Sequence, residues 1–293
     1  EDRAAYAEQI ARCRAALHAG DSYELCLTTR FDADPGLRVD PLVLFHELAA
    51  HQPAPYAALL EHGTGARRWA VVSASPERFL SGRDGRYSTK PIKGTAARLP
   101  DPAEDAEAAR ALAADPKTRA ENLMIVDLLR NDLSRVAAPG SVQVPRLFEV
   151  SALPTLWQMT STITAQVQPG HDAIDVLRTL FPCGSITGAP KIRAMEIIDE
   201  LEPEKRGVYG GAVGYFAANG EMDMCIALRT GVLKDGALYI QAGGGVVLAA
   251  DQAHQDSGDG LAVLGGFGAD QRLGDVQACA PQVPQVGVLG ADP

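Results

Sequence analysis

A chain of 293 residues with 46% hydrophobic side chains has enough apolar surface for one large domain or two ordinary ones. Its 37 acidic against 27 basic residues give a net charge of −10, which argues against a nucleic-acid or anionic-membrane partner, since either needs a concentrated basic face. The hydropathy pattern predicts neither a membrane-spanning helix nor a signal peptide.

The five cysteines, Cys13, Cys26, Cys183, Cys225 and Cys279, are scattered and never form a C-x-x-C pair, so reduced thiols in a cytosolic protein are expected. The six histidines show no ligand spacing, which leaves a hard ion on carboxylates as the metal to expect. The chain opens on Glu1, directly in a helical pattern, and is expected to be part of a longer protein.

Tyr6, Ile10, Cys13 and Leu17 recur at helical spacing and Gly20 follows as a C-cap, predicting an amphipathic helix over residues 3–19. Tyr23 to Phe31 predicts a strand, and Asp40-Pro41 supplies the N-cap and first turn of a helix to about Ala50. A Pro-rich entry at 52–56 leads into strands at about 56–62 and 68–74.

Ser75 to Thr95 reads as a β-hairpin, because Asp84-Gly85 lies between two strand-forming runs and glycine accepts the positive φ of a hairpin turn. Glu77 and Lys93 each lie eight residues from Gly85 and are expected to be cross-strand neighbours, with β-carbons about 5 Å apart. Pro91 cannot donate to a ladder, so the second strand must be at an edge or leaving the sheet by Lys93, where Gly94 can bring backbone close to a bound molecule. A surface ion pair is the bland alternative. Against it, Lys93 stands between Pro-Ile and Gly-Thr with no adjacent charge, as an amine in a cleft would.

An Ala-rich acidic helix is predicted over 101–114 and a longer one from Lys117 to Val136. Glu121 precedes the apolar positions of the latter, either as a first-turn carboxylate favoured by the helix dipole or as a functional group. Strands at about 142–150 and 156–167 and a helix at 172–180 follow. The small and hydroxyl residues from Phe181 to Lys191 then precede a helix from Pro190 to about Leu201, whose N-terminus suits an anion. The Gly-Lys-Ser/Thr order of a P-loop is absent.

From Tyr209 to Ala249 a three-stranded meander is expected, turning at Asn219-Gly220 and Asp235-Gly236. Counting from these turns puts Arg229 opposite Gly210 on one side and near Ala242-Gly243 on the other. Glycine runs on both sides of one arginine suggest a guanidinium forking a carboxylate between bare backbones, with a structural bulge as the alternative.

Five ordered stretches together resemble the chorismate-utilising enzymes: Ser-Pro-Glu-Arg-Phe at 75–79, Pro-Ile-Lys-Gly-Thr at 91–95, the helix from Ala120 to Leu133, Gly-Ser-Ile-Thr-Gly-Ala-Pro-Lys at 184–191 and Tyr-Gly-Gly-Ala-Val-Gly-Tyr-Phe at 209–216. The resemblance covers about residues 3–249 and is strongest to the aminodeoxychorismate synthase branch. It implies an α+β fold of two stacked, mostly antiparallel sheets with helices outside and the active site between them. In that branch a lysine in the position of Lys93 adds at C2 of chorismate while a glutamate in the position of Glu77 protonates the departing C4 hydroxyl. Ammonia, from a separate glutamine amidotransferase, then enters at C4 and expels the lysine. Anthranilate synthases carry alanine at the lysine position and histidine at that of Gln158, which makes their activity the alternative.

By the same resemblance Glu121 matches a ligand of Mg²⁺, while Ser185, Tyr209, Arg229, Gly243 and Gly245 match substrate contacts. Pro55-Tyr56 matches part of a tryptophan-binding pocket. The family's second Mg²⁺ glutamate and its substrate-binding lysine would fall at Gly258 and Ala262, so neither is present. Asp256 and Asp259 flank the vacant position. Residues 1–249 are therefore expected to form the catalytic domain and 250–293 a poorly ordered tail without helical period. A non-catalytic chain altered at its end is the second class of function this pattern allows.

Overall fold

The computed structural model describes residues 3–33 and 39–248; the tail from 250, with Gly258, Ala262, the two flanking aspartates and Cys279, lies outside the described residues. Helix α1 (Arg3–His18) buries Ile10, Cys13 and Leu17 as their spacing predicts, and Gly20 at φ +80 turns the chain toward β1 (Glu24–Asp32). Helix α2 (Pro41–His51) starts where the Asp40 carboxylate accepts from the Leu42 N–H at 2.8 Å. Strands β2 (Tyr56–His62) and β3 (Trp69–Ser75) follow, then the hairpin of β4 (Arg78–Arg83) and β5 (Arg86–Lys90), whose turn has φ 52° at Asp84 and 74° at Gly85.

Strand β6 (Ile92–Ala97) leads to α3 (Pro102–Ala114) and α4 (Pro116–Ser134), capped by Asp101 and Asp115. Next come β7 (Gln143–Ala152), β8 (Leu156–Gln166) and α5 (Ala173–Leu180), opened by a reciprocal capping box between Asp172 and Asp175. The two-residue β9 (Gly188–Ala189), α6 (Lys191–Leu201), β10 (Ala212–Phe216), β11 (Met222–Ile226), β12 (Thr230–Lys234) and β13 (Ala237–Val246) complete the described chain.

The strands form two antiparallel sheets. The first runs β2-β3-β12-β13-β1-β9 and the second β10-β11-β4-β5-β8-β6, with β7 also on β8. The α+β architecture expected from the resemblance is therefore present. The largest core joins Phe79 and Leu80 of β4, Ile163 of β8, Met222 and Ile226 of β11, and the inner faces of α4 and α5, with Cys26 reaching in from β1. Each fully buried Leu, Ile or Phe contributes about 1.5–3 kcal/mol. Helices α1 and α6 cover the β1 region of the first sheet, and α2 covers β2 and β3.

Two expectations change. Glu77 and Lys93 are not cross-strand partners: β4 and β5 pair Ser81 with Ser88 about the turn, a bulge intervenes, and the ladder stops at Arg78 opposite Lys90. Pro91 then breaks the strand, and β6 pairs with β8 instead, at the sheet edge the proline demands. Nor is 209–249 one meander. β10 and β11 form a hairpin in the second sheet, while β12 and β13 form another in the first. The chain changes sheets at 227–229, where Arg229 takes φ 47° and gives its carbonyl to the Ala74 N–H at 3.1 Å.

Lys191 and Asp132 pin α6 to α4, with Nζ 2.5 Å from Oδ2 and 2.8 Å from the Leu180 carbonyl, both side chains at most 12% exposed. Removing one partner strands a buried charge, so Asp132→Ala should lower unfolding free energy by about 3–5 kcal/mol. Chemical denaturation of Asp132→Ala and of an Asp132→Leu, Lys191→Met double variant checks this. The double variant is expected to recover most of the loss, and equal losses in both would show that the pair is not what holds the helices.

Candidate active site at the seam of the two sheets

Glu77 sits in the turn between β3 and β4, fixed by backbone. Its N–H reaches the Ser75 hydroxyl at 3.4 Å and its carbonyl accepts from the Ile226 N–H at 3.1 Å. The side chain is 5% exposed, and its Oε1 accepts from the Ile92 N–H at 3.4 Å. Burial pushes its carboxyl up to about 7, against smaller lowering effects from the Ser185 hydroxyl, the Ile92 N–H and the Lys93 charge. Ser185, in the short turn 184–186, thus faces Glu77. Lys191 of the same motif does not join it, being tied to Asp132.

Lys93 reaches the cleft from β6. Its ammonium is hydrogen-bonded to Oε1 of Glu24 on β1, across the seam, and the lysine side chain is 14% exposed. Burial pulls the ammonium down, but the charge and hydrogen bond of Glu24 outweigh it, with Cys26 and Glu121 adding to the rise, so the amine is protonated well beyond its ordinary range. The carboxylate that chiefly raises Lys93 is therefore Glu24, with a smaller effect of Glu121, and not Glu77. Sequence reasoning passed over Glu24, although a carboxylate inside the apolar run Tyr23-Glu24-Leu25-Cys26-Leu27 was the available signal.

The glycine triplet of β13 divides by surroundings. A β-carbon on Gly243 would run into the Leu27 carbonyl, so strand–strand approach explains that position. One on Gly244 would meet nothing, and one on Gly245 would lie 2.5 Å from Oε1 of Glu24 and 3.4 Å from Nζ of Lys93. Gly94, expected to admit a ligand, instead at φ +99° lets β6 lie against Thr118 of α4.

Glu121 on α4 is half-buried, 3.8 Å from the Lys117 ammonium, and burial raises its carboxyl despite the lowering effect of Lys93. Tyr209 is buried enough for its phenol to stay neutral. Arg229 is half-buried with its guanidinium lowered by burial alone, and no hydrogen bond or ion pair joins its side chain to the described residues. Behind β1, Arg206 ties Glu202 to the Cys26 carbonyl at 2.6 Å, and Glu202 takes the Thr28 N–H at 2.8 Å. This scaffold holds the strand that carries Glu24. Gln158 lies opposite Thr95 on β8, and Tyr56 accepts from Arg78 Nε at 2.8 Å.

The seam thus gathers an amine, two carboxylates in contrasting surroundings and a third carboxylate, an arrangement suited to acid–base and nucleophilic chemistry.

The chain is 48% identical over 251 residues to aminodeoxychorismate synthase component 1 of Klebsiella aerogenes, covering 86% of this chain and 54% of that protein. It is 46% identical over 250 residues to anthranilate synthase component 1 of Streptomyces coelicolor, covering 85% and 48%. The chain therefore spans about half the length of these relatives. Its fold superposes on anthranilate synthase component I of Streptococcus pneumoniae with a TM-score of 0.79 at 33% identity, covering 92% of this chain and 57% of that one. The pattern of the chorismate binding enzymes matches residues 1–255, and the chain belongs to that family.

Proposed function

We propose that this chain carries the catalytic region of an aminodeoxychorismate synthase component 1, converting chorismate and ammonia into 4-amino-4-deoxychorismate. The observation that carries the reading is Lys93, an amine held in a buried cleft within electrostatic reach of Glu77, a carboxyl raised to about 7. Lys93 adds at C2 of the ring, the double bonds shift, and the C4 hydroxyl leaves as water with the Glu77 proton. Ammonia then bonds to C4, the double bonds shift back and Lys93 departs. Arg229, half-buried without a counter-ion among the described residues, takes a substrate carboxylate, and Ser185, Tyr209 and the backbone of Gly243 and Gly245 line the ring.

Glu121 is the group for Mg²⁺. It is an incompletely neutralised carboxylate in the cleft, and the ion needs only one or two carboxylates beside water and substrate. Among the described residues no set of three acidic, histidine or cysteine ligands gathers. When bound, Mg²⁺ supplies positive charge to the ring carboxylate. Ammonia comes from a glutamine amidotransferase partner. The four cysteines among the described residues are buried and free, which supports a reducing, cytosolic setting, and no described helix is long and apolar enough to cross a membrane.

The test is incubation of the purified chain with chorismate, ammonium and Mg²⁺, with products separated chromatographically. 4-Amino-4-deoxychorismate is expected; anthranilate as the main product, or unchanged chorismate, would overturn the reading.

A further inference from the structure

The lysine reading leaves one step without an agent: Lys93 is an ammonium, and an ammonium has no lone pair to attack with. We propose that Glu24 accepts the Lys93 proton as the nucleophile forms and returns it when the lysine leaves. The inference rests on the covalent role given to Lys93 above.

Three observations on the geometry lead there. Among the described residues, Glu24 alone is hydrogen-bonded to Nζ, and it comes from the opposite sheet. The Glu24 side chain is 1% exposed and its second oxygen, Oε2, has no hydrogen-bond partner among the described residues. Among the described residues Lys93 is the one group hydrogen-bonded to this carboxyl, so Oε1 is the nearest acceptor for a proton leaving Nζ. Finally, Gly245 leaves room for the carboxyl where any side chain would strike Oε1.

The other titratable groups around Nζ cannot share this task. Glu77 already receives the Ile92 N–H and the Ser185 hydroxyl and must supply, not take, a proton at this stage. The Cys26 thiol of β1 is raised by burial and is a poor acceptor, and Glu121 of α4 has no hydrogen bond or ion pair with Lys93 among the described residues.

The cycle balances. The proton passes from Nζ to Oε1, giving amine and carboxylic acid. The amine bonds to the ring and becomes a secondary ammonium as the hydroxyl leaves with the Glu77 proton. After ammonia attacks C4, the C2–N bond breaks with its electron pair returning to Nζ, and the neutral lysine recovers the proton held on Glu24. The new C4 ammonium reprotonates Glu77.

Glu24→Gln keeps shape and hydrogen-bonding but cannot hold the proton. In wild type the proton moves inside the pair, so kcat should be level between roughly pH 5.5 and 7; in Glu24→Gln the lysine must lose it to water, and kcat should climb about tenfold per pH unit over that range. Profiles of the same shape in the two proteins would overturn the proposal. A second measurement needs no turnover: competitive acetylation of Lys93 by acetic anhydride, read by peptide mass mapping across pH. Its midpoint should fall by about one pH unit or more in Glu24→Gln, because burial then acts without the counter-charge. An unchanged midpoint would overturn the proposal whatever the turnover. A shifted midpoint in a chain that leaves chorismate untouched would instead defeat the functional reading and keep Glu24 in control of the lysine proton.

Discussion

Lys93→Ala is expected to abolish formation of 4-amino-4-deoxychorismate while leaving chorismate binding nearly intact. The covalent step loses its only nucleophile, and the substrate contacts proposed for Arg229, Ser185 and the strand backbones do not depend on the lysine. The deletion also leaves Glu24 buried without a counter-charge, so the variant should unfold at lower temperature, a separate effect that thermal denaturation will report. Any residual product is expected to be anthranilate, since alanine is what the resemblance places there in that branch. Product analysis together with intact-protein mass after chorismate treatment checks the assignment: an adduct on wild type but not on Lys93→Ala is the expected pair of results, and wild-type turnover by the variant would remove Lys93 from the mechanism.

Glu77→Gln is expected to cut turnover by about 10²–10⁴ with little change in chorismate affinity, because the amide fills the same space but has no proton to give the leaving hydroxyl. Burial raises the Glu77 carboxyl to about 7, so the protonated donor is dominant below that pH and disappears above it. Wild-type kcat should accordingly fall about tenfold per pH unit on the alkaline side of 7, and the Gln variant should lack that limb. A variant that keeps the same alkaline fall would assign the titration to another group.

Helical spacing, caps and Asp-Gly turns put most elements in view before any coordinates, because they are local: Asp40, Asp84-Gly85 and the α1 stripe act within a few residues. What the sequence concealed was pairing across distance. Counting from Gly85 made Glu77 and Lys93 neighbours, whereas a bulge and Pro91 broke that count and delivered Lys93 to Glu24, a residue on the other sheet. The sheet change at 227–229 was hidden for the same reason: two turns at ordinary spacing look alike whether or not the strands between them share one ladder. The glycine triplet was legible as a place of close approach, but only tertiary packing shows that Gly243 admits a strand and Gly245 a carboxyl.

The pairing of β1 with β13 brings together the beginning and the end of the described chain. During synthesis the hairpin of β4 and β5 and its partner β8 can assemble early from nearby segments, while β1 has only the two-residue β9 beside it until β13 emerges. The nascent chain thus holds Lys93 long before Glu24 has a settled place. Closure of a loop that spans nearly the whole domain should then govern the folding rate, and with it the moment the lysine gains its proton acceptor. Until β13 arrives, the apolar edge of β1 is open to other strands, which makes this strand the segment where premature chain release carries the greatest risk of aggregation.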